Sequence, residues 1–245
     1  MQFQTDRQPW DVRALLESTA TPFTIADYAP RAVIFRQGDP CDRVLHIETG
    51  RVWLAVTTRC GKEAISALLD PGAFLGEEAL TEGGERRQSA TAMTDTQVLI
   101  VAKAHMMRLL HTQPGLLDRF ITHLLARNIR LEDNLTEQLL YSSEQRLAHL
   151  LLVLADYDGR RPRPSPLPNL PQEILAEMVG TTRSRVNAFM GKFKKLGFIE
   201  KRRGLLHVNP ARLRDVHDGD RRIAVAASVL GVSVARDDMS RHAGL

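Results

Sequence analysis

Between Gly180 and Gly197 the chain reads GTTRSRVNAFMGKFKKLG, and five of its polar residues, Arg183, Ser184, Arg185, Asn187 and Lys195, are of types that hydrogen-bond to phosphate oxygens and base edges. Thr181 and Thr182 offer hydroxyls to cap a helix, and Gly197 offers its stop. Val186, Phe189, Met190, Phe193 and Leu196 recur at steps of three and four, which predicts an amphipathic helix burying them. The remaining surface is basic and suited to entering a groove.

The flanking residues give that helix a setting. Pro171 suits a first helical position, and Ile174, Leu175, Met178 and Val179 form the inner stripe of a shorter helix. Gly180 supplies the tight turn of a helix-turn-helix. Downstream, Phe198-Ile199-Glu200 and Leu205-Leu206-His207-Val208 read as strands around a basic turn, Lys201-Arg202-Arg203-Gly204. Charge is concentrated here. Arg160 to Asp215 holds thirteen basic and four acidic residues, so the whole-chain +4 hides +9 in this segment and −5 elsewhere. That local excess is the footprint of a phosphate-binding surface.

A second constellation lies in the first half. Gly76-Glu77 precedes a short helical stretch at Glu78-Ala79-Leu80, and Arg86 and Arg87 follow about ten residues on. Turn amides, a carboxylate for a sugar hydroxyl and a guanidinium would together hold a cyclic phosphate; a surface salt bridge explains the same residues. Short apolar runs at Val33–Phe35, Val44–Ile47, Val52–Val56, Ala64–Leu68 and Val98–Val101, punctuated by Gly38, Gly50, Gly61 and Gly72, predict a small antiparallel roll or jelly roll.

Between the two lies a seam. Leu117, Ile121, Leu124, Asn128, Leu131 and Leu135 alternate steps of four and three, the a/d rhythm of a coiled coil, with polar Asn128 placed to fix register and a two-stranded state. Pro114-Gly115 opens this helix, which runs to about Tyr141; Ser142 and Gln145 have capping-box spacing for the next, which carries Leu147, Leu150, Leu151 and Leu154 inward. The prolines of Arg160–Pro168 predict an extended, solvated linker. A short helix is expected near Val12–Leu16, and residues 219–245 receive no role.

Composition narrows the class. No apolar run approaches the roughly 18 residues that cross a bilayer, and the N-terminus lacks a signal peptide's apolar core, so a cytoplasmic protein without a membrane partner is expected. Cys41 and Cys60 read as ordinary reduced residues.

Ile34-Phe35-Arg36-Gln37-Gly38-Asp39-Pro40, Ile47-Glu48-Thr49-Gly50, Gly61-Lys62-Glu63, Leu69-Asp70-Pro71-Gly72, Leu75-Gly76-Glu77 and the Pro171–Glu200 block resemble, in order over about residues 20 to 216, the CRP/FNR family of bacterial transcription regulators. The resemblance implies a cyclic-nucleotide-binding-type β-roll, a long dimerisation helix and a winged helix that binds palindromic operators, with a hinge after the seam. Arg183 matches the family position whose arginine reads guanine, by bidentate contact to O6 and N7. Ser184 stands where the best-known members carry a glutamate that accepts from cytosine, a departure from the usual reader. Arg185 and Asn187 are candidates for further base or phosphate contacts, Thr181, Thr182 and Lys195 for holding the DNA backbone, and Arg202 for the wing. In cyclic-AMP-binding members the Gly-Glu pair is followed by Arg-Ser or Arg-Thr and a small residue. Here the aligned residues are Arg86-Arg87-Gln88 or, shifted by one, Arg87-Gln88-Ser89, so the small hydroxyl after the arginine is missing. Gly76, Glu77, Arg86, Arg87 and Gln88 are thus the candidate ligand residues. The family's iron-sulfur sensors need an N-terminal cysteine cluster that this chain lacks.

The expected architecture is α+β: an N-terminal arm (1–20), a β-roll sensor (21–113), a dimerisation helix (114–141), a winged helix-turn-helix (142–216) and a C-terminal extension (217–245). The expected function is transcription regulation by a homodimer on double-stranded DNA, with RNA polymerase a further candidate partner, an unidentified signal in the roll, and no metal or assigned cofactor. The alternatives are a cyclic-AMP-dependent regulator using Glu77 and Arg86 or Arg87, and a nucleotide-binding module that does not act on DNA. A cupin-type metalloenzyme would need more ligands than His46 and Glu48 supply, so no enzyme is expected.

Overall fold

The computed structural model describes residues 11–82, 84–155, 166–168, 170–202 and 205–216. Two compact units divide the chain after Thr136. In the first, helix α1 (Val12–Ser18) precedes strands β1 (Thr24–Tyr28), β2 (Val33–Phe35), β3 (Arg43–Thr49), β4 (Val52–Thr57), β5 (Glu63–Leu69), β6 (Phe74–Leu75), β7 (Ser89–Ala92) and β8 (Thr96–Ala102), with a 3-10 turn at Glu77–Leu80. All pairings are antiparallel, in two four-stranded sheets ordered β1-β8-β3-β6 and β2-β7-β4-β5.

Strands β3 and β8 are apolar on both alternations because both of their faces are covered. Leu45, Ile47 and Val98 point into the roll with Val52, Leu54, Leu69, Leu75 and Ala90. Val44, Leu99 and Val101 pack the other way, with Val12, Leu16, Met106, Leu109, Leu116 and Phe120 of the helices. Strands β1, β6 and β7 lie outside the five apolar runs that mark the other strands of this unit. β7 is Ser-Ala-Thr-Ala, burying only its two alanines, and pairing with β4 and β2 positions it.

Helices α2 (Lys103–Thr112) and α3 (Pro114–Leu140) follow. On α3, Leu116, Phe120, His123 and Arg127 step by four, three and four on a buried or half-buried stripe, and every residue from 128 to 136 is exposed. In the second unit α4 (Ser143–Leu154) opens on a complete Ser142/Gln145 capping box and is followed by α5 (Gln172–Val179), α6 (Arg183–Lys195) and the hairpin β9 (Ile199–Arg202) and β10 (Leu205–Val208). Leu147, Leu151, Val179, Val186, Phe193 and Leu213 are buried there.

Four sequence expectations change. Pro171 is the N-cap of α5, not its first helical residue. Leu196 is 45% exposed, because the left-handed turn at Gly197 brings Phe198 against Phe193 instead, ring centroids 5.8 Å apart. Lys201 and Arg202 belong to strand β9 rather than to the wing's turn. The proline-rich segment is not solvated throughout: Leu167 is buried and its N–H donates to the Leu206 carbonyl at 2.8 Å. Arg160, Arg161, Arg163 and the extension from 217 lie outside the described residues.

Glycine is required most strictly at Gly50, where φ is +82° and a Cβ would stand 2.7 Å from the Thr96 Cα; at Gly61, φ +78°, a Cβ would meet nothing within 4 Å. Left-handed backbone costs an L-residue about 1–2 kcal/mol, and overpacking adds roughly 1–3. Gly50→Ala is therefore expected to lower the urea-unfolding free energy by clearly more than Gly61→Ala; equal losses would contradict this packing.

Candidate nucleic-acid interface and ligand site

Gly180 ends α5 in the left-handed conformation, and Thr182 caps α6, its hydroxyl accepting from the Arg185 N–H at 3.3 Å. Burial of Val179, Val186 and Phe193 fixes the roll of α6, so that Arg183, Ser184, Arg185 and Asn187 are all exposed near its start and Lys195 at its end; Thr181 is half-buried at the turn. Arg183 Nη1 lies 3.0 Å from Glu173 Oε1, and Asn187 Oδ1 accepts from Gln172 Nε2 at 3.2 Å. In the wing, Arg202 pairs with Glu200 at 2.6 Å. Exposed pairs of this kind hold at most about 1 kcal/mol, against roughly 1–3 for a bidentate base contact. They orient the side chains and are weak enough to be exchanged for other partners. Lys192 is tied instead to Glu144 of α4, Nζ to Oε1 2.7 Å.

The five candidate ligand residues fall into separate groups: Gly76 with Arg86, Glu77 with Gln88, and Arg87 alone. Arg86 is buried, donating from Nη1 to the Gly76 carbonyl at 3.2 Å and from Nη2 to the Arg43 carbonyl at 2.8 Å, with its guanidinium 4.3 Å from the centre of the Phe35 ring. A Cβ on Gly76, whose φ is +74°, would strike Arg86 Nη1. Arg87 is exposed and lines, with Arg36, Gln37 and Ser89, an open cavity of about 1330 Å³. Glu77 and Gln88 do converge, through a residue the sequence reading missed. Arg127 of α3 forms an ion pair with Glu77, and its Nη2 lies 3.5 Å from Gln88 Oε1, while Gln88 Nε2 donates to Ser66 Oγ at 2.8 Å. Burial pushes the Glu77 carboxyl up, against the pull of Arg127. Glu77 Oε2 and Arg86 Nε have no hydrogen-bond partner among the described residues. The stripe Leu116, Phe120, His123, Arg127 carried the missing signal.

Family models match residues 25–113 as a cyclic nucleotide-binding domain and residues 145–216 as a Crp-like helix-turn-helix domain. The Thermus thermophilus protein named cyclic AMP receptor protein is 32% identical over 181 residues, 74% of this chain and 81% of its own length. The chain belongs to the CRP/FNR family of transcription regulators. Two solved structures share its fold. One is a CRP/FNR-family regulator of T. thermophilus, 24% identical, TM-score 0.67, over 80% of this chain and 98% of that one. The other is the c-di-GMP responsive global regulator CLP of Xanthomonas campestris, 19% identical, TM-score 0.68, over 81% and 99%. This CRP/FNR chain is thus a DNA-binding transcription regulator, and none of its described helices is long and apolar enough to cross a membrane.

The roll of this CRP/FNR regulator meets α3 through rings: Phe74 lies 4.9 Å from His46, 5.2 Å from Phe120 and 5.7 Å from His123 between centroids. His46 is therefore an interior residue, and Glu48, two residues on, pairs with Arg13 at 3.6 Å. Burial lowers both histidines from 6.5 to about 4, with His123 adding to the shift at His46, and Arg127 and Arg130 adding to it at His123. A depressed histidine contributes stability that is complete above the unfolded value and is lost as pH falls towards the folded one. The two histidines are expected to leave the urea midpoint unchanged above pH 6.5 and to lower it between 6.5 and 4, so that the His123→Leu profile falls less steeply than that of wild type over this range. Parallel profiles for the two proteins would contradict it.

Proposed function

We propose that two copies of this chain pair along α3 and read a palindromic operator in double-stranded DNA, regulating transcription according to the state of the β-roll. The carrying observation is the α3 seam: Leu117, Ile121, Leu124, Leu131 and Leu135 recur at coiled-coil spacing and are 37–60% exposed in the single chain. A helix end with nothing to pack against is marginal in water, and a second copy would bury this stripe. Asn128 sits in the seam with its Nδ2 donating to Glu132 Oε1 at 2.9 Å. In this reading residues 21–113 sense, 114–141 dimerise and 142–216 bind DNA, in the cytoplasm, with RNA polymerase as the partner through which the bound dimer acts.

Two copies of α6 related by the dimer axis would enter successive major grooves about 34 Å apart. Arg183 reads guanine, Ser184, Arg185 and Asn187 face bases or phosphates, and Thr181, Thr182, Lys195 and Arg202 hold the backbone.

Selection of bound DNA from a random pool is expected to return an inverted repeat; a single unrepeated half-site would contradict pairing. On the selected site Arg183→Ala should cost roughly 1–3 kcal/mol and relax preference at one position, whereas Lys195→Ala should weaken all sequences alike. Equal losses on specific and random DNA for both variants would sink the assignment. Asn128→Leu should strengthen the dimer and loosen its two-stranded preference in sedimentation equilibrium; unchanged mass and stability would count against the seam.

A further inference from the structure

A cyclic nucleotide asks three things of a pocket: positive charge or N–H groups for its phosphate, an acceptor for its sugar hydroxyl, and room. The residues of this roll do not fit that demand as they stand. The Arg86 guanidinium is buried and committed to the carbonyls of Gly76 and Arg43. Arg127 of α3 is engaged by Glu77. Gln88 stands between Ser66 and Arg127. Its Nε2 donates to Ser66 Oγ at 2.8 Å and its Oε1 faces Arg127 Nη2 at 3.5 Å, so one neutral amide offers the donor and the acceptor that a ligand's polar edge would offer.

We infer that Gln88 excludes cyclic nucleotides from this roll by holding its amide between Ser66 of β5 and Arg127 of α3. Gln88 acts by bulk and by polarity. Its side chain joins β5, the start of β7 and α3, so it must leave before anything else can bridge those elements. Its departure would leave Ser66 Oγ without this donor and Arg127 Nη2 without this acceptor, while Glu77 Oε2, on the carboxylate paired with Arg127, already has no hydrogen-bond partner among the described residues. Those are an acceptor for a hydroxyl and a guanidinium for an anion, so the excluded ligand class is a sugar phosphate. Arg87 plays no part in the closure, since it is exposed beside the outer cavity. The inference rests on the proposed reading of the roll as the sensor of a DNA-binding dimer.

The test is equilibrium dialysis of the full chain with radiolabelled cyclic AMP and cyclic GMP. Wild type is expected to retain neither at millimolar concentration. Gln88→Ala and Gln88→Ser should each retain one of them at least tenfold more tightly than wild type, and Arg87→Ala should behave as wild type. The serine variant decides the matter if the alanine variant fails to fold. Wild-type binding within tenfold of the Gln88 variants would overturn the inference, and so would the failure of folded Gln88 variants to bind. The same preparations are titrated with selected operator DNA. Loss of operator binding by wild type would count against the proposed function and leave the dialysis result to stand by itself.

Discussion

Helix α3 carries two stripes at once, one packed into the roll and one exposed in the single chain, and the proposed dimer depends on both. Its inner residues Leu116, Phe120, His123 and Arg127 are buried or half-buried in the first unit, and each is followed directly by a seam residue: Leu117, Ile121, Leu124 and Asn128. Successive helical residues stand about 100° apart, so the two stripes are adjacent and rigidly linked. Rotating the helix to relieve one stripe disturbs the other. A change in the roll that moves Arg127 therefore acts on the same turn of helix that carries the polar residue of the seam.

The polar end of the inner stripe is governed by the cost of burying charge. Buried ions are tolerated only when paired or fully hydrogen-bonded, and each one here is at least partly satisfied: Glu77 by Arg127, Arg86 by two carbonyls and the face of Phe35. Gly76 belongs to this arrangement, because any side chain there would collide with the guanidinium. The Gly-Glu and Arg elements thus hold the end of the roll together. Gln88 completes it with an uncharged bridge, at no further electrostatic cost.

Much of this was legible in the residues. The α6 cap, apolar stripe and stop were each written locally, as was the capping box of α4, and the five apolar runs lie within strands β2, β3, β4, β5 and β8. What escaped was set by tertiary partners. β7 carries no apolar run because its neighbours position it, and Leu196 is displaced by Phe198 through a turn whose geometry the helical period does not encode. Arg127 escaped because the coiled-coil rhythm one residue along drew attention to the outer stripe, and its partner Glu77 lies fifty residues away in sequence. Arg86 has the expected chemistry and a different employment: no local pattern signals that two backbone carbonyls claim its guanidinium.

The central claim is that α3 is held by the roll along its first half and by a second copy along its second. Amide hydrogen exchange over α3, followed from high to low protein concentration, tests this directly. Residues 116–127 should keep their protection on dilution, since Leu116 and Phe120 seat them in the core, while residues 128–136, exposed throughout in the single chain, should lose theirs as the dimer dissociates. Protection of 128–136 that is independent of concentration across dissociation would contradict the account.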